Sequence, residues 1–140
     1  MLEFGWDLEK LEKSNMFMFV EYTPEKVRTM LEEGGGVIEN IVEKHKIKRI
    51  VIDSITSFSL LFESEIAKRE AALTLFDLTR EWGCTSLLTL ERELKEEDMS
   101  AVSSTPLEFE ADGIVLLYFI REKTKRQRLI EVLKMRGSTH

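Results

Sequence analysis

An α/β fold, with a mainly parallel sheet flanked by helices and an antiparallel hairpin at its C-terminal end, is predicted by three observations. Ile50-Val51-Ile52 is an unbroken apolar run, so both faces of this strand are expected to be buried, as in the middle of a parallel sheet. The centre of the chain reads helix, strand, helix, strand, the order of successive βα steps with right-handed crossovers. Two apolar runs, 113–120 and 130–135, are joined by a short polar turn and read as a hairpin.

Taken in order, residues 1–15 are charged and mixed, with Leu8 and Leu11 forming a short helical stripe. Residues 16–20 (Met-Phe-Met-Phe-Val) are an apolar run that reads as a short buried strand. Thr23-Pro24-Glu25 then opens a helix: Thr caps it, Pro suits its first position and the acid suits its dipole. Gly34-Gly35-Gly36 interrupts the helical pattern. Bare glycine amides can cradle a phosphate, but this run follows a helix and no Lys-Ser/Thr comes after it. It reads as a break between helices. Val37, Ile38, Ile41, Val42 and His45 form the stripe of the next helix, with His45 placed to complement its C-terminal dipole.

The 50–52 strand follows, then a hydroxyl- and aromatic-rich connection over 54–62. Ile66, Leu73 and Phe76 mark a helix running to Trp82, and Gly83 stops it. Residues 84–90 form another strand-like run ending at Glu91. Residues 91–98 carry five acids against two bases, a solvated stretch, and 100–106 read as a loop.

Length and composition limit the function. A chain of 140 residues, 43% hydrophobic and 33% charged, reads as one soluble domain over 1–140 with a real core. The net charge of −6 opposes sequence-independent coating of nucleic acid by the whole surface. Cys84 is the single cysteine, no apolar run reaches membrane-span length, and the first residues lack the shape of a signal peptide. A reducing cytoplasm is the expected setting.

Two places could carry chemistry. Asp53 ends the apolar strand at the carboxyl edge, where open α/β sheets bind ligands and where an acid can hold magnesium bridged to phosphates. The alternative is that it caps the following turn. At the other end of the chain, period two places Ile130, Val132, Lys134 and Arg136 on one strand face. The two cations would emerge together and could grip a polyanion, Arg136 as a fork and Lys134 as a point charge. Over 121–136 there are seven bases and two acids, a local +5 within the acidic chain. A solvated strand end is the alternative. Glu91, also at a strand end, is either a base or water-orienting group or an ordinary surface residue. Residues 1–140 contain no Gly-x-x-x-x-Gly-Lys-Ser/Thr loop, no nucleophile elbow and too few His and Cys for a zinc site.

Four blocks stand in a telling order: Gly5-Trp6-Asp7-Leu8, Ile52-Asp53-Ser54-Ile55-Thr56, Phe109-Glu110-Ala111-Asp112-Gly113-Ile114-Val115-Leu116, and Val132-Leu133-Lys134-Met135-Arg136-Gly137-Ser138-Thr139-His140. Together they resemble the KaiC-like branch of the RecA-type ATPases, a group common in archaea. The resemblance spans essentially the whole chain but only the later part of such a domain. It implies a partial RecA-like P-loop NTPase core using ATP and Mg2+. Asp53 would be the Walker B acid and metal ligand, with Ser54 its usual neighbour. Thr89 and Glu91 would lie at the end of the sensor strand, beside the γ-phosphate. Lys134 and Arg136 would reach the nucleotide of the next protomer, with His140 nearby, since the family forms hexameric rings with ATP between subunits.

The family's Walker A loop and its paired catalytic glutamates are expected before Gly5-Trp6-Asp7, and Glu21, which follows Trp6, does not match them. The isolated chain is therefore expected to be inactive in ATP hydrolysis. In RecA-type sheets the P-loop strand lies centrally, so without it apolar strand edges are expected to be unpaired, giving a non-native dimer or higher homo-oligomer, or a rearranged sheet. Two other readings compete with the ATPase one: an oligomerisation or regulatory module, and nucleic-acid binding through the 121–136 hairpin, which the acidic remainder opposes.

Overall fold

The chain divides into two compact units, Met1–Arg92 and Glu93–His140, and the computed structural model describes residues 1–91, 110–122 and 125–139.

In the first unit a single turn at Leu2–Phe4 precedes helix α1 (Leu8–Lys13), whose cap is the Asp7 carboxylate accepting the Lys10 N–H at 3.0 Å. Helix α2 (Pro24–Glu32) starts as its sequence dictates, with Thr23 Oγ1 accepting from the Lys26 amide. Hydrogen bonds from the Glu25 backbone amide and the Thr23 hydroxyl hold the Glu25 carboxyl below its ordinary value. Helix α3 (Gly36–His45) follows, and the glycines between α2 and α3 all have positive φ. At Gly35 (φ 103°) a Cβ would stand 3.1 Å from Trp82 Nε1 and close to Leu78. The triple glycine is thus a tight joint packed on another helix, as its sequence context indicated.

Strand β1 (Arg49–Ile52), helix α4 (Ile55–Ser59), helix α5 (Glu65–Glu81) and strand β2 (Thr85–Leu88) complete the unit. β1 and β2 pair in parallel, with Arg49, Ile50, Val51 and Ile52 opposite Thr85, Ser86, Leu87 and Leu88. Helix α5 supplies most of the core: Ala71, Ala72, Leu75, Phe76, Leu78 and Thr79 are buried, at the spacing of one helical face. Ile55 and Val42 add to it, and the Thr79 hydroxyl is satisfied by donating to Phe76 O at 2.8 Å. Leu75 is only 3% exposed. Leu75→Ala should therefore cost about 2–5 kcal/mol, read as a lower denaturation midpoint at unchanged slope.

The second unit contains the hairpin of β3 (Gly113–Glu122) and β4 (Lys125–Met135), antiparallel throughout. The Tyr118 hydroxyl donates to Glu131 Oε2 at 2.6 Å, and this bond to an anion raises the phenol's pKa. In a Tyr22→Phe background, ultraviolet titration should show Tyr118 ionising at lower pH once Glu131→Gln removes the charge and weakens the bond.

Several sequence expectations are corrected by the structure. Residues 16–20 are not a strand: they are irregular, with Met16 77% and Phe19 73% exposed. An apolar run becomes a strand only when an edge pairs with it, and none of the described strands does so. β1 is not buried on both faces. Val51 and its partner Leu87 are exposed while Ile50 and Ile52 are half-buried, because the β1–β2 sheet covers one face only. The 113–120 strand alternates in the same way, with Leu117 78% exposed. The connection over 54–62 contains α4, the strand after Cys84 spans only Thr85–Leu88, and β4 begins at Lys125, well before Ile130.

The hairpin faces also differ from strict period two. Val115 pairs with Val132 but Ile114 pairs with Lys134, so Leu133 is the extra residue of a β-bulge. One inserted residue reverses the alternation. Lys134 therefore leaves the face shared by Ile130 and Val132.

Candidate functional site

The carboxyl ends of β1 and β2 bring four of the expected residues together, Asp53, Ser54, Thr89 and Glu91. Parallel pairing does this: with Ile52 opposite Leu88, the next residues of both strands leave the sheet side by side. The Thr89 amide donates to Ile52 O at 3.1 Å, and Thr89 O accepts from the Ile55 amide at 2.9 Å. Held at both main-chain groups, Thr89 turns its hydroxyl to Asp53 and donates to Oδ1 at 2.5 Å. That bond fixes the rotation of an exposed carboxylate and directs its second oxygen elsewhere. Ser54 follows through a cis peptide bond, and its Oγ lies 3.5 Å from both the Ser57 amide and the Ser57 hydroxyl, at the start of α4.

Glu91 is exposed beyond the end of β2, and its main chain is held by Thr56, whose Oγ1 accepts the Glu91 N–H at 2.8 Å. Thr56 had no place among the residues expected from sequence. The available signal was a hydroxyl three residues after the strand-ending acid, within the Asp-Ser-Ile-Thr run.

The cations of the second unit are described by themselves. Arg136 Nη1 donates to Asp112 Oδ1 at 3.0 Å, and its backbone amide donates to Asp112 O at 2.7 Å. The two side chains are 54% and 79% exposed, so this ion pair is worth about 0–1 kcal/mol. Lys134 lies beside the bulge, half-buried. His140 and Lys123 fall outside the described residues.

The acid site suits magnesium by its donor set. Mg2+ keeps several waters and needs one or two carboxylates beside phosphate oxygens. An exposed Asp53 oriented by the Thr89 hydroxyl fits that requirement, while the Ser54 hydroxyl lies against Ser57. Among the described residues no three His, Cys, Asp or Glu side chains converge, so a cage built wholly of protein ligands is not offered there. Nor is any helix among them long and apolar enough to cross a membrane.

Comparison with known proteins decides the family. The profile described as "ATPase: KaiC" matches residues 1–140. The chain belongs to the KaiC ATPase family. Similar proteins agree with this assignment. The circadian clock oscillator protein KaiC of Prochlorococcus marinus subsp. pastoris is 33% identical over 98% of the chain and 28% of the relative's length. The circadian clock protein KaiC3 of Synechocystis is 31% identical over 100% of the chain and 29% of its own length. The chain thus spans under a third of these relatives. Among solved structures, that of the KaiC-like protein PH0186 from Pyrococcus horikoshii is similar with a TM-score of 0.77 and 33% identity. The match covers 100% of this chain and 59% of that one. The KaiC family places the parallel pair, the helices and the C-terminal hairpin within a RecA-like α/β fold.

Proposed function

We propose that residues 1–140 supply the metal-side acid and the trans-acting cations of a KaiC-type ATPase domain. The observation that carries this reading is the Thr89–Asp53 hydrogen bond at the carboxyl ends of two parallel strands. In this reading Asp53 holds the magnesium that accompanies ATP, Ser54 lines the same edge, and Thr89 keeps the carboxylate turned for the ion. Magnesium, when bound, supplies charge neutralisation on the β- and γ-phosphates. Glu91 orients the attacking water or receives its proton. Lys134 and Arg136, with His140 close in sequence, stabilise charge on the nucleotide of a neighbouring protomer. Arg136 gives up its weak pairing with Asp112 to do so.

The phosphate-cradling Walker A loop has no counterpart within residues 1–140. Hydrolysis is therefore expected only when a segment bearing that loop completes the site. Self-association fits the surface as well as the chemistry. Val51 and Leu87 on one sheet, and Leu117, Phe119 and Ile130 on the hairpin, are large apolar side chains open to water.

The experiment is ATP hydrolysis by the chain alone and by the chain combined with a Walker A-bearing segment of the family. The expected result is turnover only in the combined sample, dependent on Mg2+ and lost in Asp53→Asn. Turnover indifferent to Asp53 would refute the assignment.

A further inference from the structure

We infer that Thr56 is a positioning residue for Glu91, an inference that rests on the ATPase reading above. β2 ends at Leu88, so Glu91 stands three residues beyond the last ladder position. In a parallel ladder the neighbouring strand would continue to supply donors and acceptors to 89 and 91. Here the neighbour has already turned into α4. Two residues of the first turn of α4 take over that role. Ile55 donates its amide to Thr89 O at 2.9 Å, and Thr56 accepts the Glu91 N–H at 2.8 Å. The same Thr56 hydroxyl lies 3.5 Å from Glu91 O, near enough to donate back to it. A side chain thus replaces main chain, across 35 residues of sequence, where the backbone geometry no longer reaches.

The consequence is a fixed relation between two groups of opposite origin. Asp53 and Thr56 flank one short turn, so that turn sets the carboxylate from one strand and the main chain of Glu91 from the other. Thr89 holds Asp53 from β2, and Thr56 holds Glu91 from the segment after β1. In both bonds the donor lies on the β2 side and the acceptor on the β1 side. The side chain that reaches across comes from β2 in one and from the segment after β1 in the other, and together they lock the two exits in register. Ile55, between the two, is only 5% exposed and anchors the turn in the core. Orientation of this kind matters most to groups that act on a water, where a small displacement is costly. The side chain of Glu91 stays exposed and able to act; Thr56 constrains only where it starts.

The test compares Thr56→Val, which keeps the shape but loses the hydroxyl, with Thr56→Ser, which keeps the hydroxyl. In the chain combined with the Walker A-bearing segment, Thr56→Val is expected to lower kcat about tenfold with KM for ATP nearly unchanged, and Thr56→Ser to recover most of it. In a Glu91→Gln background Thr56→Val should have no further effect, because the two act as a unit. In the chain alone, amide exchange at Glu91 should accelerate in Thr56→Val and not in Thr56→Ser. Wild-type kcat in Thr56→Val would overturn the inference, as would an equal fall in the Glu91→Gln background or unaltered exchange at Glu91. Absence of Asp53-dependent hydrolysis in the parent sample would instead remove the ATPase reading, and this inference with it.

Discussion

Asp53→Asn is expected to reduce magnesium-dependent hydrolysis in the combined sample by about 100-fold or more, the loss of several kcal/mol of charge stabilisation. The substitution is close to isosteric, and Asn retains an Oδ1 able to accept from the Thr89 hydroxyl. The Thr89 contact and the β1–β2 register should therefore survive while the charge is lost. Asp53 is exposed, so its folding contribution is small and a lower rate reports on the site. Steady-state rates across a magnesium series check this, with partial recovery expected at high Mg2+. A rate within twofold of wild type would mean that the acid merely ends a strand.

The second large effect concerns Arg136. Arg136→Ala is expected to cost about 10³-fold in kcat, the low end for an arginine acting on a neighbour's phosphoryl group. Because the effect would operate across a subunit boundary, two inactive variants should complement one another. A protomer carrying Asp53→Asn still offers Arg136, and one carrying Arg136→Ala still offers Asp53. In a random equal mixture about one boundary in four unites both intact partners, so activity should return to about a quarter of wild type. Recovery near zero would place Arg136 within its own site or outside catalysis. The half-exposed pairing with Asp112 contributes about 0–1 kcal/mol, so its loss in the variant should alter turnover far more than stability.

The legibility of the fold followed the range of the interactions involved. Thr23-Pro24, the triple glycine and Gly83 act within a few residues, and each helix boundary they signal stands where local chemistry puts it. The parallel pairing of β1 with β2 and the final hairpin were also readable, because apolar runs bounded by polar ones leave few alternatives. What could not be read was anything that depends on a second surface. Residues 16–20 have strand composition and no paired edge, and Val51 has core chemistry on a face that stays exposed. Composition states what a strand can bury, and neighbours decide whether it does.

The candidate site shows the same division. Asp53 and Glu91 were identifiable as acids ending apolar strands, and Thr89 through family resemblance. The contact from Thr89 to Asp53 spans 36 residues and depends on register, which no local pattern encodes. Thr56 was missed for that reason, since its role exists only once β2 lies beside β1. The bulge at Leu133 was hidden because a one-residue insertion leaves the composition of the strand unchanged. It nevertheless separates Lys134 from the face of Ile130 and Val132.

The central claim is that Asp53 lies against the metal of a nucleotide site. Paramagnetic broadening by Mn2+, in place of Mg2+, tests it most directly. The chain would be labelled with ¹⁵N and combined with an unlabelled Walker A-bearing segment and a non-hydrolysable ATP analogue. The account predicts that the amide signals of Asp53, Ser54 and Thr89 vanish first as Mn2+ is added, and that Asp53→Asn weakens the effect. Signals at these three residues that persist while others in the first unit disappear would contradict it.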